Sequence, residues 1–540
     1  MVEPEANKMA DTSAASVDVE QTGEARPEKT MQTIIETTKF AAEEEKQLGV
    51  IEAAKIYPKA LFWSTFFALG VIMVGYDAQI INSFYAMPAF KEFYGEYYDG
   101  EKQITAAWQS ALGMGNPIGQ ILGSLACSWP SERWGRKKVM IACNILISAF
   151  NFMQFFAPNL AVLCAGEILA GLLWGTFVTL APTYASEVAP VALRGILTAF
   201  INMAFVIGQF IGQGVVAGFQ SRSDKWAYKA PFALQWLWPA ILLAGVPFAP
   251  ESPWWLVRKE RKEAARNSLK RLATWKSEEE LDNALLVIEQ TDMLERRLLK
   301  STSYMDCFKG VNLRRTEICA MAYMIQVLCG NPLMGYINYF FTTAGLDTDQ
   351  AFNMGVGNTA IGFFATCVTW VVLSYFGRRR IYNTGLYIMT VLLFIVAIID
   401  CIPDYDNKPG IIWAQGSLLD VWTFFYQLTV GPMTFVIISE CSSTKLRSRT
   451  IAIATACQAA CSIVTTVAVP YMFNPGNGNM RGKIGFFFGS LSFLCGIWSF
   501  FRLPETKNRT FEEIDIMFEQ RVPTRQFKNY NPLELPDDEN

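Results

Sequence analysis

The chain is expected to be an all-α membrane protein, with twelve transmembrane helices in two pseudo-symmetric six-helix halves and a helical insert between them. Three observations predict this. First, 51% of its 540 residues are hydrophobic and 18% are charged, and the apolar residues gather in twelve runs of about 18–28 residues, each long enough to cross a bilayer. Second, three charged phrases occur twice in the same order. The first set is Trp134-Gly-Arg-Lys-Lys138, Ser186-Glu187 with Arg194, and Pro250-Glu-Ser-Pro253. The second is Phe376-Gly-Arg-Arg-Arg380, Ser439-Glu440 with Arg447, and Pro504-Glu-Thr506. Glu187 and Glu251 stand 64 positions apart, Glu440 and Glu505 65; such duplication is what a two-halved transporter carries. Third, Lys and Arg concentrate in the loops that carry these phrases, which by the positive-inside rule makes those loops and both termini cytoplasmic.

In order, the first-half runs are Ala60–Tyr85, Ile104–Trp129, Val139–Pro158, Ala161–Tyr184, Ile196–Phe219 and Phe232–Ala249. The second-half runs are Ile318–Phe341, Ala351–Phe376, Ile381–Cys401, Ile411–Ile438, Thr450–Tyr471 and Ile484–Phe501. The expected organisation is a largely disordered cytoplasmic tail over 1–58, halves over 59–255 and 316–503, a linker over 256–315 and a cytoplasmic tail over 504–540. Met1–Gly49 is polar and acidic without an apolar core, so no cleaved signal peptide is expected. In the linker, Arg258–Arg266 favours helix, and Leu269, Leu272, Leu281 and Leu285 supply apolar faces for short amphipathic helices against the cytoplasmic surface. The 504–540 tail is read as one short helix, near Phe511–Gln520, followed by a disordered end.

Several function classes drop out. Nine of the twelve cysteines lie in the interior of the apolar runs, with Cys401 at the end of one more; the nine have no ligand spacing and read as small core residues. The glycine-rich Gly476–Lys483 lacks the spacing of a phosphate loop and the hydroxyl residue after its lysine, so an ATP-driven pump is excluded. Neither an enzyme nor a cofactor, metal or nucleic-acid partner is expected, and the chain is read as a monomer in a lipid bilayer.

The charged phrases resemble the motifs of the sugar porter branch of the major facilitator superfamily. Glu132-Arg-Trp-Gly-Arg-Lys137 is similar to its loop motif, with Glu in place of the usual Asp. Pro182–Pro190 with Arg194-Gly195, Pro250–Pro253 and Pro504–Lys507 are similar to its other signatures. Within that branch, Ser443–Arg447, Pro470–Pro475, Gly482–Phe488 and Val522–Phe527 resemble fungal glucoside and oligosaccharide permeases of the maltose or cellobiose/lactose type. The resemblance covers nearly all of 61–528 and implies the major facilitator fold, with alternating access at the plasma membrane.

A cytoplasmic gate is expected from Glu132, Arg133, Gly135, Arg136, Glu187, Arg194 and Glu251 in one half and Arg378, Glu440, Arg447 and Glu505 in the other. Ion pairs there bias the carrier only if they differ between its two states. Lys137 and Lys138 are read as topology signals. The acids inside the runs are Asp77, Glu167 and Asp420, with Asp400 at a rim, and no Lys or Arg lies inside any run. Buried charge in a membrane is costly and marks function, and this pattern disfavours anionic substrates. Amides supply the donors and acceptors that hydroxyls need: Asn202, Gln209 and Gln213; Gln326, Asn331 and Asn338; Gln427 and Gln458. Tyr336, Tyr339, Trp422 and Phe435 can cover sugar faces. The resemblance places Asn202, Gln209, Gln326, Tyr336 and Phe435 near a sugar.

Gln326 stands without the family's adjacent second glutamine, Pro332 follows as a candidate helix break, and Phe435 stands where Trp is common. These departures suit a neutral disaccharide better than a hexose. The chain has no histidine, so a coupled proton must ride on carboxylates. Asp77 is the expected carrier and Glu167, at the family's arginine position, its tuning neighbour; Val74 and Gln120 stand where related permeases carry further acids. Proton symport, facilitated diffusion and a transporter that also signals sugar availability remain open. An exporter would carry a proline in its fifth-run glycine motif, which Gly208–Gly214 lacks.

Overall fold

The computed structural model describes residues 50–98, 101–275, 277–299, 303–343, 346–402, 409–443, 446–474, 476–507, 509 and 511–530. The expectations for 1–49, including the absence of a signal peptide, lie outside the described residues. The first half is built from α1 Pro58–Phe84, α2 Ala106–Trp134, α3 Arg136–Phe155, α4 Leu160–Val188, α5 Val191–Phe219 and α6, which runs in two pieces, Trp226–Leu234 and Leu237–Gly245. The second half has α7 in three pieces, Gly310–Leu328, Asn331–Gly335 and Ile337–Thr343. It continues with α8 Thr348–Tyr375, α9 Arg378–Ile399, α10 as Pro409–Leu428 and Val430–Cys441, α11 Arg447–Phe473 and α12 Ile484–Arg502. A short hairpin, β1 Glu96–Tyr98 with β2 Glu101–Gln103, lies between α1 and α2.

Several helices run past their apolar cores into the charged phrases: α2 ends at Trp134, α3 begins at Arg136 and α4 ends at Val188. Charge is tolerated there because it is paired, as described below. Among the described residues ten helices are long and apolar enough to cross a membrane. The two remaining rods of the twelve-helix bundle, α2 and α7, fall short for a physical reason. The first carries Gln109, Asn116, Pro117 and Gln120, and the second is interrupted. The interruption is made by Gly330, left-handed at φ +112°, rather than by Pro332. Pro332 falls in the first turn of the next piece, where a proline costs no hydrogen bond.

The packing repeats with the sequence. Helix α1 lies along α5 as α7 lies along α11, and α2 along α4 as α8 lies along α10. The halves meet where α2 packs on α11 and α5 on α8. The α2–α4 seam is close enough that a Cβ at Gly171 would lie 2.6 Å from the Asn116 carbonyl, and one at Gly175 2.8 Å from the Ser124 nitrogen. Small residues on facing helices allow this approach, which is how helices associate where no water drives them together.

Between the halves, Pro253–Arg258, Lys262–Leu272 and Glu278–Leu299 form helices. Leu256, Leu269, Leu281 and Ile288 share an apolar cluster, and Thr274 donates its backbone N–H to Ile56 at 2.8 Å. After α12, the helix Phe511–Glu519 is followed by chain that is docked rather than loose as far as Tyr530. Phe527 is fully buried, Thr524 Oγ1 donates to the Phe501 carbonyl at 2.7 Å, and the Arg314 guanidinium donates to the Val522 carbonyl at 3.0 Å. Phe518, against the Arg315 guanidinium at 4.5 Å, is the apolar anchor that the proline-rich composition concealed. Residues 531–540 lie outside the described part.

Candidate functional site: a polar cavity between the halves

A cavity of about 390 Å³ lies where the two halves face each other. Its wall brings together Asn202 and Gln209 from α5, Gln326, Asn331 and Tyr336 from α7, Phe435 from α10 and Gln458 from α11, with Asp77 and Glu167. Asp77 and Glu167 are the charged residues in the described wall, and no Lys or Arg is among them. The wall also includes Asn82, Asn116, Asn358 and Thr423, which the sequence reading passed over, and Trp422 and Gln427, which it named. A single amide inside an apolar run was the available signal for Asn82, Asn116 and Asn358. Gln213 and Asn338 lie elsewhere, as does Tyr339, which sits beneath Lys91 at 5.8 Å.

Within the wall several amides hold one another. Gln458 Nε2 donates to Gln326 Oε1 at 2.7 Å, and Gln326 Nε2 donates to the Gly431 carbonyl at 2.8 Å. Asn202 Nδ2 reaches Gln427 Oε1 across the halves at 3.3 Å. Aromatic faces complete the wall: Trp422 and Tyr426 stack at 5.3 Å, while Tyr323 meets Phe435 edge-on at 5.8 Å. Tyr336 Oη and Trp422 Nε1 are buried without a hydrogen-bond partner.

Asp77 is fully buried on α1 and collects three donors from three other helices. Gln235 Nε2 donates at 2.6 Å, Trp174 Nε1 at 3.0 Å and Asn116 Nδ2 at 3.4 Å. Gln235 can reach it because it lies at the joint between the two pieces of α6. Glu167 on α4 interacts directly with Asp77 and accepts from Gln154 Nε2 at 2.8 Å. The sequence separates these two carboxyls by 90 residues; the helix packing makes them neighbours.

At the end of the bundle away from the charged phrases, a knot of buried polar groups ties the halves together. Gln213 Oε1 on α5 accepts from Gln79 at 2.6 Å and Ser83 at 3.0 Å, both on α1. Gln213 Nε2 donates across the divide to Asn338 Oδ1 at 3.0 Å, and Asn338 Nδ2 returns a bond to Ser83 at 3.1 Å. Gly355 lies so close that any side chain would press on Asn338 and Gln213.

At the charged end the duplicated phrases build the same node twice. In the first half, Arg136 pairs with Glu187 and Glu132, both at 2.8 Å, and Glu251 accepts the Arg136 backbone N–H at 3.0 Å. In the second, Arg378 pairs with Glu440 at 3.3 Å and Glu505 accepts the Arg378 backbone N–H at 2.8 Å. Burial pushes the Glu251 carboxyl up, while the backbone N–H groups of Ser252, Lys137 and Arg136 pull it back. At the far end, burial likewise raises Asp400, which accepts from Gly482 at 3.2 Å. Each node joins residues of one half. Among the described side chains the expected lattice is therefore present as two intra-half clusters rather than as pairs across the divide. Arg133 is turned aside, over Trp129 at 5.3 Å. The side chains of Arg194 and Arg447 lie outside the described part of the structure.

Comparison with known proteins agrees with this architecture. Residues 63–518 match the family described as "Sugar (and other) transporter". The chain is 37% identical over 494 residues to the general alpha-glucoside permease of Saccharomyces cerevisiae, covering 90% of this chain and 80% of the relative. It is 36% identical over 508 residues to maltose permease MAL31 of the same yeast, covering 92% and 81%. Among solved structures it is similar to the proton:xylose symporter XylE bound to a bromodeoxyglucose, with TM-score 0.69 and 21% identity over 85% of this chain and 99% of that one. An inward-open form of XylE from E. coli gives 0.65 at 20% identity, over 84% and 99%. At those identities the structures speak for the fold, and the yeast relatives for the family. The chain thus belongs to the sugar (and other) transporter family and has the major facilitator fold, as a multi-pass membrane sugar transporter rather than an enzyme.

Proposed function

We propose that the protein imports a neutral disaccharide or related glycoside across the plasma membrane by alternating access, coupled to proton entry, with its charged end and both termini in the cytoplasm. The observation that carries this reading is the chemistry of the cavity. Amides, hydroxyls and aromatic faces line a space of about 390 Å³ whose described charges are both carboxyls. That lining suits a hydroxylated ring and lacks the cation that would hold an anion. The relatives named for α-glucosides and maltose support an α-linked disaccharide as the cargo.

Asn202, Gln209, Gln326, Asn331, Tyr336, Phe435 and Gln458 are the proposed sugar contacts. Asp77 and Glu167 are the proposed proton site. Two carboxyls side by side away from water are costly when both are charged, so this is where the bundle can hold a proton. The far-end knot is the outer gate in its closed position. The two charged nodes brace the cytoplasmic ends of their halves, which leaves the halves free to part on that side.

Asp77→Asn tests the coupling. Uptake against a gradient should fall to the background of cells without the transporter, while exchange of labelled for unlabelled sugar across the membrane persists. Loss of exchange together with accumulation would assign Asp77 to binding or folding instead. Facilitated diffusion predicts that the wild-type protein ignores an uncoupler.

A further inference from the structure

Asp420 is an acid in a membrane helix to which the proton site gives no task, and its surroundings suggest another one. It lies on α10, and Asn358 of α8 donates to its Oδ1 through Nδ2 at 2.8 Å. The same Nδ2 donates to Thr423 Oγ1 at 2.9 Å, and Thr423, one turn along α10 from Asp420, passes its own hydrogen to Met334 Sδ at 3.2 Å. Both hydrogens of the Asn358 amide are therefore taken up. Asn358 belongs to the cavity wall and is 4% exposed.

An asparagine amide free to turn can offer a ligand either two donors or an acceptor. A carboxylate only accepts, so Asp420 compels the amide to face it with nitrogen and to turn the oxygen the other way. We propose that Asp420 is a positioning residue that fixes Asn358 as a hydrogen-bond acceptor toward the cavity, so that the site demands a donating hydroxyl at one position of the sugar. This rests on the reading of the cavity as a site for a neutral sugar. It explains why a costly acid is kept in α10 without a role in proton traffic, and why it stands three residues from a threonine that accepts from the same nitrogen. A site built around one hydroxyl rejects analogues that lack it, because the opposing acceptor is then left unpaired.

The test is uptake kinetics of Asp420→Asn, with a panel of monodeoxy disaccharides as competitors and with surface abundance measured alongside. Asparagine can turn either end toward Asn358, so the orientation is released while the shape is kept. The expected result is a KM raised about five- to tenfold with Vmax within about twofold, the scale of one hydrogen bond. Discrimination against a single deoxy analogue should be lost, and that against the others kept. Asp420→Glu should restore part of that discrimination. Thr423→Val, which removes the second acceptor without removing a charge, should move KM in the same direction by less. An equal loss for every analogue, an unchanged KM or a change in Vmax alone would overturn the proposal. So would accumulation lost with exchange intact, which would place Asp420 in proton coupling. Failure of the wild-type protein to carry any disaccharide would instead refute the reading of the cavity, and is seen without any variant.

Discussion

Gly135 holds φ at +94°, and a Cβ there would press on the Glu251 carboxylate. Gly377, its counterpart in the second half, has φ −75° and faces Glu505 in the same way. The glycine of each repeated phrase is thus required because a glutamate from the end of its half reaches the helix N-terminus where a side chain would lie. The first site carries a second penalty, since with ψ 165° its backbone lies in a positive-φ region essentially confined to glycine, which costs an alanine about 1–3 kcal/mol. Gly135→Ala should therefore lower transport and thermal stability more than Gly377→Ala. Gly357, in α8 with open space where a Cβ would lie, is the control: alanine there should be neutral or slightly stabilising, by helix propensity. Equal effects at Gly135 and Gly357, in melting and uptake, would contradict this account of the nodes. The sequence displayed these glycines and acids as phrases. That Glu251 and Glu505 bond backbone rather than guanidinium groups was hidden, because a carboxylate near an arginine in sequence does not say which of its donors it meets.

At the scale of elements, α1 links two devices. Asp77 sits in the proposed proton site, and Gln79 and Ser83, within two turns, tie α1 to Gln213 and through it to Asn338 of the other half. Gln213→Leu leaves those partners buried without it, at about 1–3 kcal/mol for each unsatisfied group. Since about 1.4 kcal/mol is a factor of ten in an equilibrium, the balance should move markedly toward the form open at the far end. Reaction of a cysteine at Asn82, in the cavity wall, with an impermeant thiol reagent outside the cell should then rise severalfold. An unchanged labelling rate would mean that the knot is packing and not a gate. In the sequence Gln213 and Asn338 stand with the other amides suited to hydroxyls, though outside the expected sugar contacts, because periodicity alone cannot tell an amide that faces a cavity from one that bridges two helices.

At the scale of the molecule, the tail beyond α12 is part of the second half. Asp515 pairs with Arg315 at the start of α7, and Arg509 reaches the carbonyls of Phe527 and Tyr530. Removing residues 511–540 would strip a nearly buried arginine of its carboxylate, a change that costs about 3–5 kcal/mol when a pair is fully buried. A lower melting temperature and reduced surface abundance are expected, with KM unchanged in the molecules that remain. A truncated protein of normal stability would show the docking to be incidental. The twelve rods and their twofold repeat were legible because bilayer thickness sets the length of apolar runs and the phrases mark their ends. Asp77 and Glu167 were legible as neighbours because the resemblance sets Glu167 at the family's arginine position, whereas the Gln235 and Trp174 donors came from helices whose facing the sequence does not state.

The account turns on whether sugar entry is driven by protons through the Asp77–Glu167 pair. The most direct measurement is accumulation of a radiolabelled α-linked disaccharide in cells at two external pH values, with and without an uncoupler, for the wild-type protein and Asp77→Asn. The account predicts accumulation above the external concentration that is greater at the lower pH, collapses with the uncoupler and is absent in the variant. A wild-type protein that only equilibrates its sugar, equally at both pH values and indifferent to the uncoupler, would contradict it.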